Sequence, residues 1–311
     1  MTTRTETRSN HEIEHRIPND LLQKKVRITV VGCGGTGSAV AAGLPYLHQA
    51  MVALGHPYGV DVTLIDGDRI SRTNCVRQPF SESEIGLYKA TVLATRINLF
   101  WGFGWTGMPC FMDERWGQET DIVIGCVDSR AARQAITRTQ TYWNCHYWLD
   151  LGNNADSGQF VLGQPDNGKN RSCEQRLPTA SELFPELVDS KLDRKDKLPS
   201  CSAVEALERQ EPFVNQTLAY QAMAMLARLF RYGRLSYHGG FVNLRTGRTT
   251  SLSVDPVVWE RMKLACDPKP NSKTHKTATH ESAIPLPEAR QTSLGHASAR
   301  VLNGAFRSGT V

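Results

Sequence analysis

The chain has 311 residues, 40% hydrophobic and 22% charged, and a formal net charge of +5. This is enough to bury one large core, or one core with an elaborated second half, and no run approaches the roughly 18 apolar residues of a membrane span. The polar start, Met1 to His15, is unlike a secretory signal, so a soluble cytoplasmic protein with no membrane contact is expected.

The charge is unevenly placed. Residues 267–311 carry +3 and residues 1–25 carry +1, leaving about +1 for the body between them. A nucleic-acid footprint would concentrate positive charge on the folded body, so no nucleic-acid partner is expected. Eight cysteines are scattered with no Cys-x-x-Cys pair, which argues against a disulfide scaffold and predicts no zinc.

Residues 1–23 lack a sustained apolar period and read as a flexible N-terminal arm. Arg27–Val31 then reads as a buried strand, running into the glycine turn Gly32-Cys33-Gly34-Gly35-Thr36-Gly37 and a helix over Ser38–Leu54. In that context the turn is a phosphate cradle. Glycines bring backbone N–H groups close to phosphate oxygens, and the helix N-terminus adds partial positive charge. NAD, FAD and ATP enzymes all use versions of it, so the loop alone leaves the nucleotide open.

Further strands are expected at Val60–Ile65, Ile122–Val127, Tyr147–Leu151 and Gln159–Gly163, with a helix over Tyr88–Leu99. Strands alternating with helices imply right-handed crossovers and a parallel sheet. A polar stretch over 164–200 reads as a crossover insertion, a solvated loop or a lid, and Val214–Phe230 as a core helix. Phe241–Leu244 and Thr249–Val254 flank Thr246-Gly247 as an antiparallel hairpin. The fold class is therefore α/β: a Rossmann-like, doubly wound, mostly parallel sheet with antiparallel strands in its C-terminal half. It occupies 24–266, followed by a Ser-, Thr- and Pro-rich tail, 267–311, read as disordered.

The candidate chemistry lies downstream of the glycine turn. Asp66 closes the second strand, where a carboxylate meets ribose hydroxyls, although the interval from Gly37 is about ten residues longer than usual. This places an insertion around His48–Gly59. Asn74, Arg77-Gln78 and Lys89 follow. One neutral and two cationic side chains, Asn74, Arg77 and Lys89, suit a triphosphate better than a pyrophosphate. Asp128 ends another strand, with Ser129, Arg130 and Arg133 after it, and should face the same crevice. Carboxylates near phosphates commonly hold magnesium, which is the role read for Asp128.

This ordered set, with Asp66-x-Asp68, Asn74-x-x-Arg77-Gln78, Lys89 and Val127-Asp128-Ser129-x-x-x-Arg133, resembles the ThiF/MoeB adenylyltransferases, relatives of ubiquitin-activating enzymes, over about residues 24–255. The layout is further similar to the ThiF-like members of PRTRC cassettes. The resemblance implies a homodimeric enzyme that uses Mg-ATP to activate the C-terminal carboxylate of a small ubiquitin-like, β-grasp protein. ATP would sit on Gly32, Gly34, Gly35, Thr36 and Gly37. Asp66 would hold the ribose, Asp68 and Gln78 would belong to the nucleotide site, Asn74, Arg77 and Lys89 would hold the phosphates, and Asp128 would hold magnesium. Pro199-Ser200-Cys201-Ser202 is similar to the family's cysteine-bearing crossover, which makes Cys201 a candidate acyl acceptor beside the alternative of a small packing residue. An oxidoreductase or a silent nucleotide-binding scaffold leaves Asn74, Arg77, Lys89 and Asp128 unexplained as a set, or unused. Arg16 is the one candidate for an arginine reaching across a dimer, and its context fits that role poorly.

Overall fold

The apolar run Val26–Val31 (β2) makes a strand covered on both faces, and its neighbours follow the same rule. The structure, a computed structural model, describes residues 13–113, 116–173, 175–195 and 211–266. After the short β1 (His15–Arg16) and β2 come α1 (Gly35–Ala53), β3 (Val60–Ile65), α2 (Asn74–Arg77), α3 (Lys89–Trp101) and β4 (Thr106–Met108). Next are β5 (Ile122–Gly125), α4 (Arg130–Thr137), α5 (Gln140–Asn144), β6 (Tyr147–Asn153), β7 (Ser157–Gly163) and α6 (Ala180–Leu183). The chain then forms α7 (Val214–Tyr232), β8 (Arg234–Leu235), β9 (Tyr237–Asn243), β10 (Arg248–Ser253) and α8 (Pro256–Cys266).

Eight strands form one sheet in the order β10-β9-β7-β6-β5-β2-β3-β4. The pairs from β6 to β4 are parallel, and β6/β7, β7/β9 and β9/β10 are antiparallel. This is the expected doubly wound, mostly parallel sheet with antiparallel strands toward the C-terminus. The winding reverses between β2 and β5, and ligands of such sheets bind beyond the strand carboxyl ends at that point. Helix α1 packs against α3 and α7. It is buried through most of its length, including Val40, Ala41, Leu44 and Leu47. Gly43 lets α7 approach, since a Cβ there would sit 3.0 Å from Met223 Cγ. The excess length after Gly37 is absorbed by this 19-residue helix and the turn that follows it.

Two expectations change. The ordered chain begins before residue 24: β1 pairs antiparallel with β8, and Leu21 is wholly buried. The β1/β8 pair and the buried His15, Ile17 and Leu21 anchor this segment, a set too short and too irregularly spaced to create a visible period. The polar stretch after residue 164 is also more than a solvated loop as far as Lys195, because its polar groups fold inward. Asn167 Nδ2 donates to the Cys145 carbonyl at 2.8 Å and Asn170 Nδ2 to the Pro165 carbonyl at 2.9 Å, while Arg176 grips Glu182 at 2.6 and 2.9 Å. Residues 196–200 and the tail from 267 onward lie outside the described residues.

The N-terminal segment brings two buried histidines near one another. His15 Nε2 lies 2.6 Å from the Tyr147 hydroxyl, and His238 Nδ1 lies 2.7 Å from the Leu162 carbonyl. Burial, and secondarily His238, pulls His15 down to about 4. Burial takes His238 to about 4 as well, against a smaller opposing pull from the Leu162 carbonyl. Both folded values lie below the ordinary 6.5. The unfolded chain therefore binds more protons between these limits, and stability is lost as pH falls through that window. Each histidine contributes at most about 1.4 kcal/mol per pH unit. Urea unfolding followed from pH 7.5 to pH 4.5 should show His15→Gln with a shallower decline than the parent; parallel declines would contradict this account.

Candidate nucleotide-binding site

The β2–α1 turn is shaped by what surrounds it. Gly32 has a φ of +90°, and a Cβ on it would meet the Cys126 carbonyl oxygen at 2.9 Å. A Cβ on Gly37 would stand 1.8 Å from the Gly32 carbonyl oxygen, so Gly37 allows the helix to close against the turn. At Gly35 the obstacle would be Asn215, 2.5 Å away. Gly34 is the N-cap of α1 and has no side chain to satisfy the first N–H groups, which leaves them available to an anion. The Thr36 hydroxyl lies 2.8 Å from Asn215 Oδ1 and 3.2 Å from Asn153 Oδ1, tying the turn to α7 and β6.

Asp66 locks this turn to the end of β3. Its Oδ2 accepts from the Cys33 N–H at 2.6 Å and its Oδ1 from the Asp68 N–H at 2.8 Å. Burial raises its pKa from the usual carboxylate value, with the two N–H groups and Lys89 opposing that rise. Lys89, buried at the start of α3, donates to Asp68 Oδ2 at 3.0 Å, and its own N–H bonds the Asp68 carbonyl. Asp68 is exposed, so this pair can open toward a ligand at little cost.

One cavity of about 980 Å³ unites Gly32, Gly34, Gly35, Thr36, Asp66, Asp68, Arg77, Gln78, Lys89 and Asp128. Two expected residues stand outside its lining. Asn74 turns back to accept the Ser71 N–H at 3.0 Å, stabilising the bend into α2, and Gly37 acts behind the turn. Cys201 lies outside the described residues. Cys33, read as a packing residue, is fully buried, and burial pushes its thiol well up.

Other lining residues were not singled out as site residues from the sequence. Arg133 is buried, donates through Nε to Asp150 Oδ1 at 3.0 Å and through Nη2 to the Leu151 carbonyl at 3.2 Å, and reaches the cavity wall. Asn215 and Asn153 flank Thr36, and Phe111 stands at the mouth. Asn215 stands beside a second amide, Gln216, in the first turn of α7, so nothing in the local sequence singled it out. Arg77, Lys89, Arg130 and Arg133 share the wall with Asp66, Asp68, Asp128 and Glu186, a mixed surface suited to a polyphosphate with a bound cation. Gln78 Oε1 is buried with no hydrogen-bond partner among the described residues, a polar group for which a ligand can compensate.

A glycine cradle at the switch point of a doubly wound sheet, opposed by cationic side chains and a buried carboxylate, defines a Rossmann-like α/β protein of the nucleotide-binding type. The chain belongs to the ThiF family, whose model matches residues 16–272. Among solved structures it is similar in fold to PaaA, at 15% identity and a TM-score of 0.51, covering 74% of this chain and 64% of PaaA. Escherichia coli MccB also matches: alone at 18% identity and a TM-score of 0.48, covering 83% of this chain and 69% of MccB, and in a structure with ATP at 18% and 0.47, covering 75% and 64%. This chain thus spans less than two thirds of the length of PaaA. No curated protein matches it. Among the described residues, no helix is long and apolar enough to cross a membrane.

Proposed function

We propose that the protein is an adenylyltransferase that uses ATP to activate the C-terminal carboxylate of a small ubiquitin-like, sulfur-carrier-type protein of β-grasp fold. The observation carrying this reading is that Gly34, Asp66, Arg77, Lys89 and Asp128 line one cavity at the carboxyl ends of the sheet. Membership of the ThiF family supports it.

In this reading the α1 N-terminus and the glycine turn receive the phosphates, and Asp66 receives the ribose. Arg77 and Lys89 draw negative charge off the phosphates, Lys89 exchanging Asp68 for a phosphate oxygen, while Gln78 contributes a polar contact. Asn74 supports Arg77 by holding the bend that precedes it. Magnesium is usually held by one or two carboxylates together with substrate phosphates. Asp128, exposed on the cavity wall, fits that donor set. The ion would neutralise charge on the phosphates.

The partner's terminal carboxylate is already ionised near neutral pH, so the site needs no general base. A carboxylate oxygen bonds to the α-phosphorus, the bond to the bridging oxygen breaks, and pyrophosphate leaves with that electron pair. Catalysis is then positioning and charge stabilisation. Transfer to Cys201 would follow by thiolate attack on the acyl carbon, with AMP leaving. Action as a homodimer belongs to the same proposal.

The test is magnesium-dependent ATP–pyrophosphate exchange by the full chain with candidate β-grasp proteins ending in glycine. Exchange that depends on the partner and is lost in Arg77→Ala supports the reading. Tight NAD binding with no ATP binding would overturn it. Exchange that survives Cys201→Ala, with no acyl-enzyme formed in the parent, would remove only the transfer step.

A further inference from the structure

We infer that Phe111 is the nucleobase-stacking residue of this site, seated for that purpose on Gly67; the inference rests on the nucleotide-binding reading above. Strands β3 and β4 run parallel and leave the sheet side by side, with the Asp66 N–H bonded to the Met108 carbonyl at 3.2 Å. Asp66-Gly67-Asp68 exits β3 next to Cys110-Phe111-Met112 beyond β4, and five of these six residues, all but Gly67, line the cavity. A Cβ on Gly67 would lie 2.5–2.7 Å from three atoms of the Phe111 ring. The backbone of Gly67 is not in the left-handed region, so the ring, not the turn, is what requires glycine here.

Phe111 is 71% exposed, although Met112 beside it is buried. A phenyl ring with one face resting on bare backbone and the rest open to solvent gains little from burial. It is, however, a ready platform for a planar base. Its position follows from the order of the sheet: the phosphate cradle lies at β2, the ribose carboxylate at β3, and the next surface outward is the exit of β4. A ligand laid with its phosphates on the cradle and its ribose on Asp66 carries its base toward Phe111. Cys110, Phe111 and Met112 offer soft, apolar surface there, so the base is held through its face more than through side-chain hydrogen bonds.

The full chain can be tested with two probes, ATP and inorganic tripolyphosphate, which lacks the base. Stacking one base on one aromatic ring corresponds to about a tenfold or larger change in affinity. Phe111→Ala should weaken ATP by that factor and leave tripolyphosphate unchanged. Phe111→Trp should retain ATP binding, and Gly67→Ala, which pushes the ring off its seat, should weaken ATP more than tripolyphosphate. Unchanged ATP affinity in Phe111→Ala, or equal losses for both probes, would overturn the stacking role while leaving the nucleotide site standing. A parent protein that binds no nucleoside triphosphate would overturn both.

Discussion

Lys89→Ala is expected to lower ATP–pyrophosphate exchange by about 10²- to 10³-fold, the scale of losing one preorganised donor to developing charge, with little change in the unfolding transition. The two readouts separate because of where the charges sit. Lys89 is buried, but its partner Asp68 is half exposed and is rehydrated when the lysine is removed. An ion pair with one solvated member contributes roughly 0–1 kcal/mol. Truncation to alanine removes the lysine's aliphatic packing together with its charge but keeps the helix propensity at the start of α3. Near-parent urea unfolding together with lost exchange would mark Lys89 as a phosphate ligand. A large stability loss would instead make it a structural residue.

The opposite pattern is expected at Asp150, where stability should fall first. Asp150 is fully buried, and its carboxyl is raised from the usual carboxylate range by burial, against the pull of the Arg133 guanidinium. Asp150→Ala strands that guanidinium in the interior, a change that costs about 3–5 kcal/mol. For a unit of this size the melting temperature should drop by roughly 10 °C. Loss of nucleotide binding should follow, because Arg133 also holds the Leu151 carbonyl and so the end of β6, where Leu151, Gly152 and Asn153 line the cavity. Arg133→Met combined with Asp150→Leu removes both charges and should recover much of the lost stability, since no buried charge is left unpaired. A loss below about 1 kcal/mol for Asp150→Ala would show that the pair is better hydrated than its burial indicates.

These predictions rest on features of different visibility. Lys89 was legible because it lies in a short, ordered series after the second strand, with Asp66, Arg77 and Gln78, and the chain carries that series to one end of one sheet. Pairing of Arg133 with Asp150 was not legible. It joins α4 to β6 across 17 residues, and no local period marks it. Asn215 is further still, 179 residues from Thr36. Strand β4 escaped notice because it is three residues long and contains Gly107, where a Cβ would lie 2.5 Å from the Ala90 carbonyl oxygen. Where α3 crosses so closely, the central position of β4 cannot carry a side chain, and the two flanking residues are too few to form a recognisable strand pattern.

The sequence by itself determined the α/β class, the long parallel strands, the core helix α7 and the glycine cradle, because each is written in a local apolar period or a contiguous motif. It also placed Asp66, Lys89 and Asp128 at strand and helix ends, where topology brings them together. Only the tertiary structure decided that Asn74 and Gly37 shape the site from behind rather than line it. The same holds for the anchoring of residues 15–21 against β8 and the core, and for Phe111 resting on Gly67. These depend on contacts between distant segments, whose energies are settled by packing and burial and leave no periodic trace along the chain.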